Sequence, residues 1–316
     1  MLLELLHATE VGAIGAARES GFGDKKNADR GAVKAMRQYL NTVKFRGRIV
    51  IGEGEKDEAP MLYIGESLGT GKGLAIDIAV DPLENTNATA TLGMRAISVL
   101  AASEKGGLYQ GPEMYMDKLI VGSEAAGKVH LDDAPKKNLK ALAESLDRDI
   151  RDLVIVILDR ERNEEIVAKV REAGARVSLI ADGDLIPGIA ACMRGTGVHA
   201  VMGIGGGPEG VIVAAAIRCL KGEMQARFWP KNQEEREKLI KMGRNPNKLY
   251  THEELASGKK IVFCATGVTD GEVLTGVKFF GGGARTHSLL MSTEVEKVRF
   301  IDTTHVFNRK EIEFRL

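Results

Sequence analysis

Aromatic side chains are scarce in this sequence of 316 residues, which holds one Trp, five Tyr and nine Phe against 37 Gly. Few rings and many glycines point to a scaffold with numerous tight strand-to-helix turns. Net charge is absent too, because 44 Lys and Arg balance 44 Asp and Glu. That balance excludes a basic nucleic-acid coat and an acidic tail protein. No run approaches the roughly 18–20 uninterrupted apolar residues of a membrane span, so no membrane partner is expected. Cysteine is limited to Cys192, Cys219 and Cys264, in apolar stretches without CxxC spacing. These read as buried free thiols in a reducing compartment. The histidines, His7, His130, His199, His252, His287 and His305, show no zinc-ligand spacing and read as ordinary surface or core side chains. Glu4, His7 and Glu10 interrupt the first apolar run, as in an amphipathic helix rather than a signal peptide. A cytoplasmic protein is expected, in which the Asn87-Ala88-Thr89 sequon carries no sugar.

What is present suffices for packed cores. Apolar residues make up 44% of the chain, and its length favours two domains. From residue 151 a strand, turn and helix pattern recurs. Strand 152–158 precedes a helix stopped by Gly174, strand 175–180 a second helix, and strand 198–204 a third; a fourth apolar run covers 260–266. This alternation predicts a doubly wound, mostly parallel sheet. Residues 230–259 read as a solvated insertion, with a helix ending at Gly243 and a Thr251/Glu254 capping box. The first half is a less regular α+β pattern: helices around 1–20 and 27–41, then strands at 48–55, at 74–81 (stopped by Pro82) and at 94–103. The polar stretch 123–150 separates the halves, giving an α+β metal-binding domain at 1–150 and an α/β domain at 151–316. There is no tandem repeat or low-complexity tract.

Chemistry concentrates in the turns. Glu53 and Glu55 follow an apolar strand, with Asp57 and Glu58 next; Asp77 and Asp81 share one side of the following strand; Asp29 opens a helix. Converging carboxylates without His or Cys suit Mg²⁺ or Mn²⁺. An Asp77 buried between Ile76 and Ile78 needs a partner. In the second half Arg160 and Arg162, Asp182 and Asp184, and Gly205-Gly206-Gly207-Pro208-Glu209 follow successive strands. Such turns open on the ligand crevice of a doubly wound sheet, where arginines hold phosphate, acids accept from hydroxyls and a glycine turn exposes N–H groups to an anion. No P-loop, dinucleotide fingerprint or GxSxG elbow competes. Metal, phosphate and hydroxyl recognition together describe sugar-phosphate hydrolysis.

Specific strings narrow this. Asp81-Pro82-Leu83-Glu84-Asn85-Thr86 resembles the D-P-[IL]-[DE]-G-T motif of the lithium-sensitive, metal-dependent sugar and inositol phosphatases. Residues 23–29, 50–55, 57–61, 114–116 with Lys118-Leu119, 182–184 and 203–210 then resemble, in one order along the chain, the class II fructose-1,6-bisphosphatases. The resemblance implies a layered αβαβα sandwich and Mn²⁺- or Mg²⁺-dependent hydrolysis of the 1-phosphate of fructose 1,6-bisphosphate. It implies Asp29, Glu53, Asp81, Glu84 and Glu209 as metal ligands, and Thr86, Lys25 and Glu84 as catalytic residues. For the sugar and its second phosphate it implies Glu84, Asn85, Thr86, Tyr115, Arg160, Glu161, Arg162, Asp182, Gly183, Asp184 and Gly206. It also implies a homodimer or homotetramer that binds a sugar bisphosphate and no nucleic acid. Alternatives are a dual enzyme that also takes sedoheptulose 1,7-bisphosphate, and a sugar-phosphate sensor with impaired catalysis. Two positions depart from the motif: Asn85 stands where it has glycine, and Asn87 where a basic residue is common. Asn tolerates positive φ better than most residues, so the turn is expected to persist.

Overall fold

In a computed structural model that describes residues 1–54 and 61–307, the chain opens with helices α1 (Leu2–Ala17) and α2 (Lys25–Leu40). Ala28, Ala32, Val33, Met36 and Leu40 recur at the helical period in α2 and are buried, while the Asp24 carboxylate caps the helix by accepting from Asn27 N–H. Strands β1 (Arg46–Ile51), β2 (Ser67–Leu68) and β3 (Ala75–Glu84), helix α3 (Thr86–Thr91) and strand β4 (Ile97–Glu104) follow. Next come β5 (Tyr115–Val121), α4 (Pro135–Ser145), β6 (Val154–Leu158), α5 (Glu164–Glu172), β7 (Arg176–Ile180), α6 (Leu185–Ala191) and β8 (Ala200–Gly206). Then α7 (Gly207–Leu220), β9 (Glu223–Trp229), α8 (Gln233–Lys241), β10 (Tyr250–Thr251) and α9 (His252–Leu255) lead into β11 (Val262–Gly267). β12 (Lys278–Phe280), β13 (Gly283–Ser292) and β14 (Lys297–Val306) complete the described chain.

The strands form two mixed sheets. One has eight strands in the order β12-β13-β11-β4-β3-β1-β2, with β14 pairing β13; the other has six, in the order β10-β9-β5-β8-β6-β7. Helices α1 and α2 pack on the outer face of the first sheet. Helices α4 and α5 cover the outer face of the second, over Leu119, Ile155, Ile157 and Met202. Between the sheets lies α7, whose unbroken apolar run from Val211 to Ile217 is wholly buried. A helix apolar on every side needs walls on every side, and the two sheets supply them. The layers are therefore α, β, α, β, α, as the resemblance implied.

Several sequence expectations change. The second sheet is not mostly parallel: β6 runs parallel to β7 and β8, but β5 is antiparallel to both β8 and β9. The run at 260–266 becomes β11 of the first sheet, antiparallel to β4 and β13. An apolar run signals a buried strand without saying which sheet it joins, and the excursion before it carries the chain from one sheet to the other. The first sheet thus draws on residues 46–104 and 262–306 and the second on 115–251. A division at residue 150 falls inside the second sheet's stretch. Pro82 does not stop β3, which continues to Glu84 through a register slip opposite Val99 and Ile97, the kind of irregularity that accepts a proline. Within 230–259 the helix ends at Lys241, two residues before Gly243 at φ 71°, and the capping box is present, yet Leu239, Tyr250 and Leu255 enter the core, so the segment is more than a solvated insertion. Among the described residues no helix is long and apolar enough to cross a membrane.

Asp77 finds its partner away from Asp81. Four residues along a strand is about 13 Å, and Asp77 Oδ2 accepts from Gly106 N–H at 2.6 Å, in the turn after β4. The acid is 6% exposed, so its role is to hold that turn. Asp77→Ala is expected to lower stability by about 1–3 kcal/mol while leaving turnover per folded molecule unchanged, as read from urea unfolding beside activity.

Candidate active site

β1 and β3 are parallel neighbours, so their carboxyl ends leave the sheet on the same edge. Register slips at Ile49/Ile51 in β1 and Asp81/Glu84 in β3 break the pleat there. Glu53 follows the first slip, and Asp81 and Glu84 flank the second. The first turns of α2 bring Asp29 to the same edge. From the other sheet, β8 ends at Gly206 and α7 starts at Gly207, so Glu209 falls in the first turn of the buried helix, where a carboxylate is favoured. A cavity of about 390 Å³ opens between the sheets, and Asp29, Glu53, Asp81 and Glu209 all line it, with Glu113, Tyr115 and Lys231.

Glu84 is buried beside Asp81, and the two carboxyls hydrogen-bond each other, which requires a shared proton. Burial pushes the Asp81 carboxyl up against the hydrogen bonds from Glu84 and from Leu83 N–H, which is 3.0 Å from Oδ1. Burial, then the charges of Asp81 and Glu209, push Glu84 well up. Burial and the Asp81 charge raise Asp29 to about 6, and burial with the charges of Asp81, Asp29 and Glu113 raises Glu53 to about 9. Burial lifts Glu209 to about 7 despite Lys118. Glu209 Oε2 is buried with no hydrogen-bond partner among the described residues. A crowd of raised acids with an orphaned oxygen is a site short of positive charge. Its all-carboxylate donor set suits a hard divalent cation such as Mg²⁺ or Mn²⁺.

Lys118 on β5 is the fixed cation of this region. It is 1% exposed, its Nζ lies 2.5 Å from Asp184 Oδ2, and it donates to Gly206 O at 3.0 Å. A Cβ on Gly205 would stand 2.1 Å from Asp184 Oδ2, and one on Gly206 1.8 Å from Glu209 Oε2, so only glycine lets the strand pass these acids. Asp182, Gly183 and Asp184 stand behind the Glu84–Asn85 turn: a Cβ on Gly183 would lie 3.4 Å from Glu84 Oε1 and 3.2 Å from Asn85 Cβ. Asp184 gives its Oδ2 to Lys118, where the sequence reading had it accept from a sugar hydroxyl.

The motif's two departures have structural roles. Asn85 adopts φ 69°, ψ 58°, the left-handed region expected of the motif's glycine, and its Oδ1 caps α3 by accepting from Ala88 N–H at 3.1 Å. Asn87 donates to Asp182 Oδ2 at 3.0 Å, tying α3 to the turn after β7. Thr86 is the first residue of α3, half-buried beside this turn. Lys25 is exposed at the start of α2, four residues before Asp29 and so on its side of the helix, with no ion pair among the described residues.

Two cations stand over the ring of Tyr115. The Arg162 guanidinium stands 4.0 Å from its ring centroid and Lys231 Nζ 4.5 Å from it. Arg162 is held by its Nε donating to Ile204 O at 3.3 Å, and buried Asn163 ties the same turn to Ile204 through both its amide groups. Arg160 and Glu161 are exposed, and the Arg160 guanidinium donates to Asp159 O, so the structure brings only Arg162 of the three to Tyr115. Sequence reading missed Lys118, Lys231 and Asn163. A lysine inside the apolar run of β5 was the signal for the first; Lys231, in a polar stretch, had none. Glu55, Asp57, Glu58, Ala59 and Pro60 lie outside the described residues.

Without metal, folded Asp29, Glu53 and Glu209 hold protons that the unfolded chain has released, from the ordinary carboxyl range up to about pH 9. Stability falls with pH wherever the folded state binds more protons. Thermal melts in chelator should therefore show the midpoint declining from about pH 5 to about pH 9, and Mn²⁺ or Mg²⁺ should restore it increasingly as pH rises. A metal effect as large at pH 5 as at pH 8 would contradict this.

The sequence of the family described as bacterial fructose-1,6-bisphosphatase, glpX-encoded, matches residues 1–305. A protein of Synechococcus sp. (strain JA-2-3B'a(2-13)), named D-fructose 1,6-bisphosphatase class 2/sedoheptulose 1,7-bisphosphatase, is 50% identical over 96% of this chain and 95% of its own length. Its namesake from Microcystis aeruginosa (strain NIES-843 / IAM M-2473) is 46% identical over 99% of this chain and 98% of its own. That of Gloeobacter violaceus (strain ATCC 29082 / PCC 7421) is 46% identical over 97% and 96%. With this likeness along nearly the whole sequence, and with the acids of both sheets meeting at one cavity, the chain belongs to the bacterial, glpX-encoded fructose-1,6-bisphosphatase family.

Proposed function

We propose that this protein hydrolyses the 1-phosphate of fructose 1,6-bisphosphate to fructose 6-phosphate and phosphate, in gluconeogenesis, with Mg²⁺ or Mn²⁺ as cofactor. One observation carries the reading: acids from both sheets line one cavity with Tyr115 and Lys231, and Arg162 stands over the same ring, as suits a substrate anionic at both ends. Asp29, Glu53, Asp81, Glu84 and Glu209 hold the divalent cation. When bound, it neutralises phosphate oxygens, lowers the pKa of water and stabilises the leaving alkoxide. Thr86 Oγ1 orients the attacking water and helps to deprotonate it, beside Glu84. Lys25 draws the phosphate toward Asp29. Arg162 and Lys231 hold the second phosphate over the Tyr115 ring. Arg160, Glu161, Asp182, Gly183, Asp184, Asn85 and Gly206 complete the sugar site by resemblance. Most of the rate enhancement is positioning and preorganised charge.

Sedoheptulose 1,7-bisphosphate is a second proposed substrate, because the relatives are named for both activities and the two phosphate ends are read by separate groups. Phosphate release should be measured on both bisphosphates and on inositol phosphate, with each metal. The expected result is release from the bisphosphates far above a Glu209→Ala control; none above that control overturns the reading. Arg162→Ala and Lys231→Ala should each raise KM for the bisphosphate roughly ten- to hundredfold, the worth of a hydrogen bond to a charged group, and leave turnover of fructose 1-phosphate nearly unchanged.

The enzyme is further proposed to act in the cytoplasm, where its free cysteines stay reduced, and to self-associate. Phe279, Phe280, Val298 and Phe300 are 40% or more exposed on β12 and β14, and β14 is a ten-residue strand paired on one edge only among the described residues. Such an edge pairs readily with a second copy. Light scattering should give a dimer or tetramer mass, and Phe300→Lys should shift it toward the single chain.

A further inference from the structure

Two histidines separated by nearly the whole chain meet at one acid. His7 and Glu10 are three residues apart on one face of α1, with His7 Nδ1 2.9 Å from Glu10 Oε2. β14 brings His305 beside them: its Nε2 lies 3.9 Å from the same oxygen, and its ring stacks on that of His7 with centroids 5.7 Å apart. The three donor atoms all fall within 4.8 Å of one another. We propose that His7, Glu10 and His305 form a second metal site, separate from the carboxylate cluster, that takes one transition-metal ion of the Zn²⁺ type.

The geometry needs little adjustment. A tetrahedral ion about 2.0–2.1 Å from each donor sets the donors about 3.3–3.5 Å apart, between the 2.9 and 3.9 Å already present. Groups around the ligands are placed for the purpose. The Thr303 hydroxyl donates to Glu10 Oε1 at 2.6 Å, orienting the carboxylate so that Oε2 faces the imidazoles. The Thr286 hydroxyl lies 2.9 Å from His305 Nε2, and an ion on that nitrogen replaces this hydrogen bond, with the imidazole turning away from Thr286.

The donors also select the ion. Two imidazole nitrogens and one carboxylate favour Zn²⁺, Co²⁺ or Ni²⁺ over Mg²⁺, which prefers oxygen alone. A cavity of about 500 Å³ lined by His7, Arg18, His305 and Phe307 opens beside the cluster, so water can fill the fourth position. The bound ion would join α1 to β14, a strand that among the described residues pairs with β13 alone.

Co²⁺ titrated into the full chain in excess Mg²⁺ tests this, with Mg²⁺ filling the carboxylate site. The expected result is the visible bands of four-coordinate Co²⁺ saturating at one ion per chain, and a melting midpoint raised by Zn²⁺. Both should persist in Glu209→Ala and vanish in His7→Ala and His305→Gln. Thr303→Val keeps all three ligands and should weaken Co²⁺ binding roughly 10–100-fold, which covers the case in which a ligand variant fails to fold. Absence of the bands, or bands equally strong in His7→Ala, His305→Gln and Thr303→Val, overturns the proposal. Because Glu209→Ala abolishes phosphate release and spares these bands, failure of the proposed catalytic reading and failure of this site are told apart.

Discussion

Like charges held together in a poorly solvated cleft are the constraint around which this fold is arranged. Five carboxyls, Asp29, Glu53, Asp81, Glu84 and Glu209, come to one place although each neighbour raises the cost of ionising the next. No single element carries them all. They come from α2, the ends of two parallel strands and the first turn of a buried helix, so the repulsion is borne by the packing of two sheets against α7. The close-fitting glycines, the bulges in β1 and β3 and the fully buried Lys118 all follow from that demand. Each either brings an acid nearer or offsets one that has arrived.

The same arrangement separates two kinds of recognition. The acids gather on one part of the cavity, and Arg162 and Lys231 both stand over the Tyr115 ring, 4.0 and 4.5 Å from its centroid. A ring that attracts both cations holds them near one place without the desolvation of an additional buried ion pair. Asp184 is paired with buried Lys118. Its contribution is to fix the lysine that steadies Gly206 and Glu209.

The secondary elements were largely legible because the sequence separates its periods cleanly. Strands 152–158 and 198–204 are short β-branched runs, and α2 and α5 carry apolar residues at helical spacing. The acids were legible for a different reason: a carboxylate beside glycine at the end of an apolar strand has few structural uses. Sheet membership was not legible. The run at 260–266 reads like the strands before it, yet pairs with β4, more than 150 residues upstream, since hydrophobic patterning records burial and not partners. Lys231 was hidden likewise, because one lysine in a charged stretch differs from the others only in the ring it lies over. Asp77 matched the acid pattern, but sat too far along β3 to reach Asp81. His7 and His305 show the extreme case, a contact that only the whole fold creates.

The first sheet has a consequence for how the molecule comes into being. Its β4 must wait for β11, and all of the second sheet lies between them in the chain. During synthesis the six strands of the second sheet are complete while β4 still presents a bare edge. Helix α7 can by then rest on β3 and β4, but still lacks β11, β13 and β14. Contacts this distant in sequence form slowly, and an open strand edge is the feature most prone to pair with the wrong chain. The interval between β4 and β11 is therefore the vulnerable stage in this protein's folding. A truncation just before β11 leaves every lining residue of the cavity made, yet β4 without the neighbour that covers its edge.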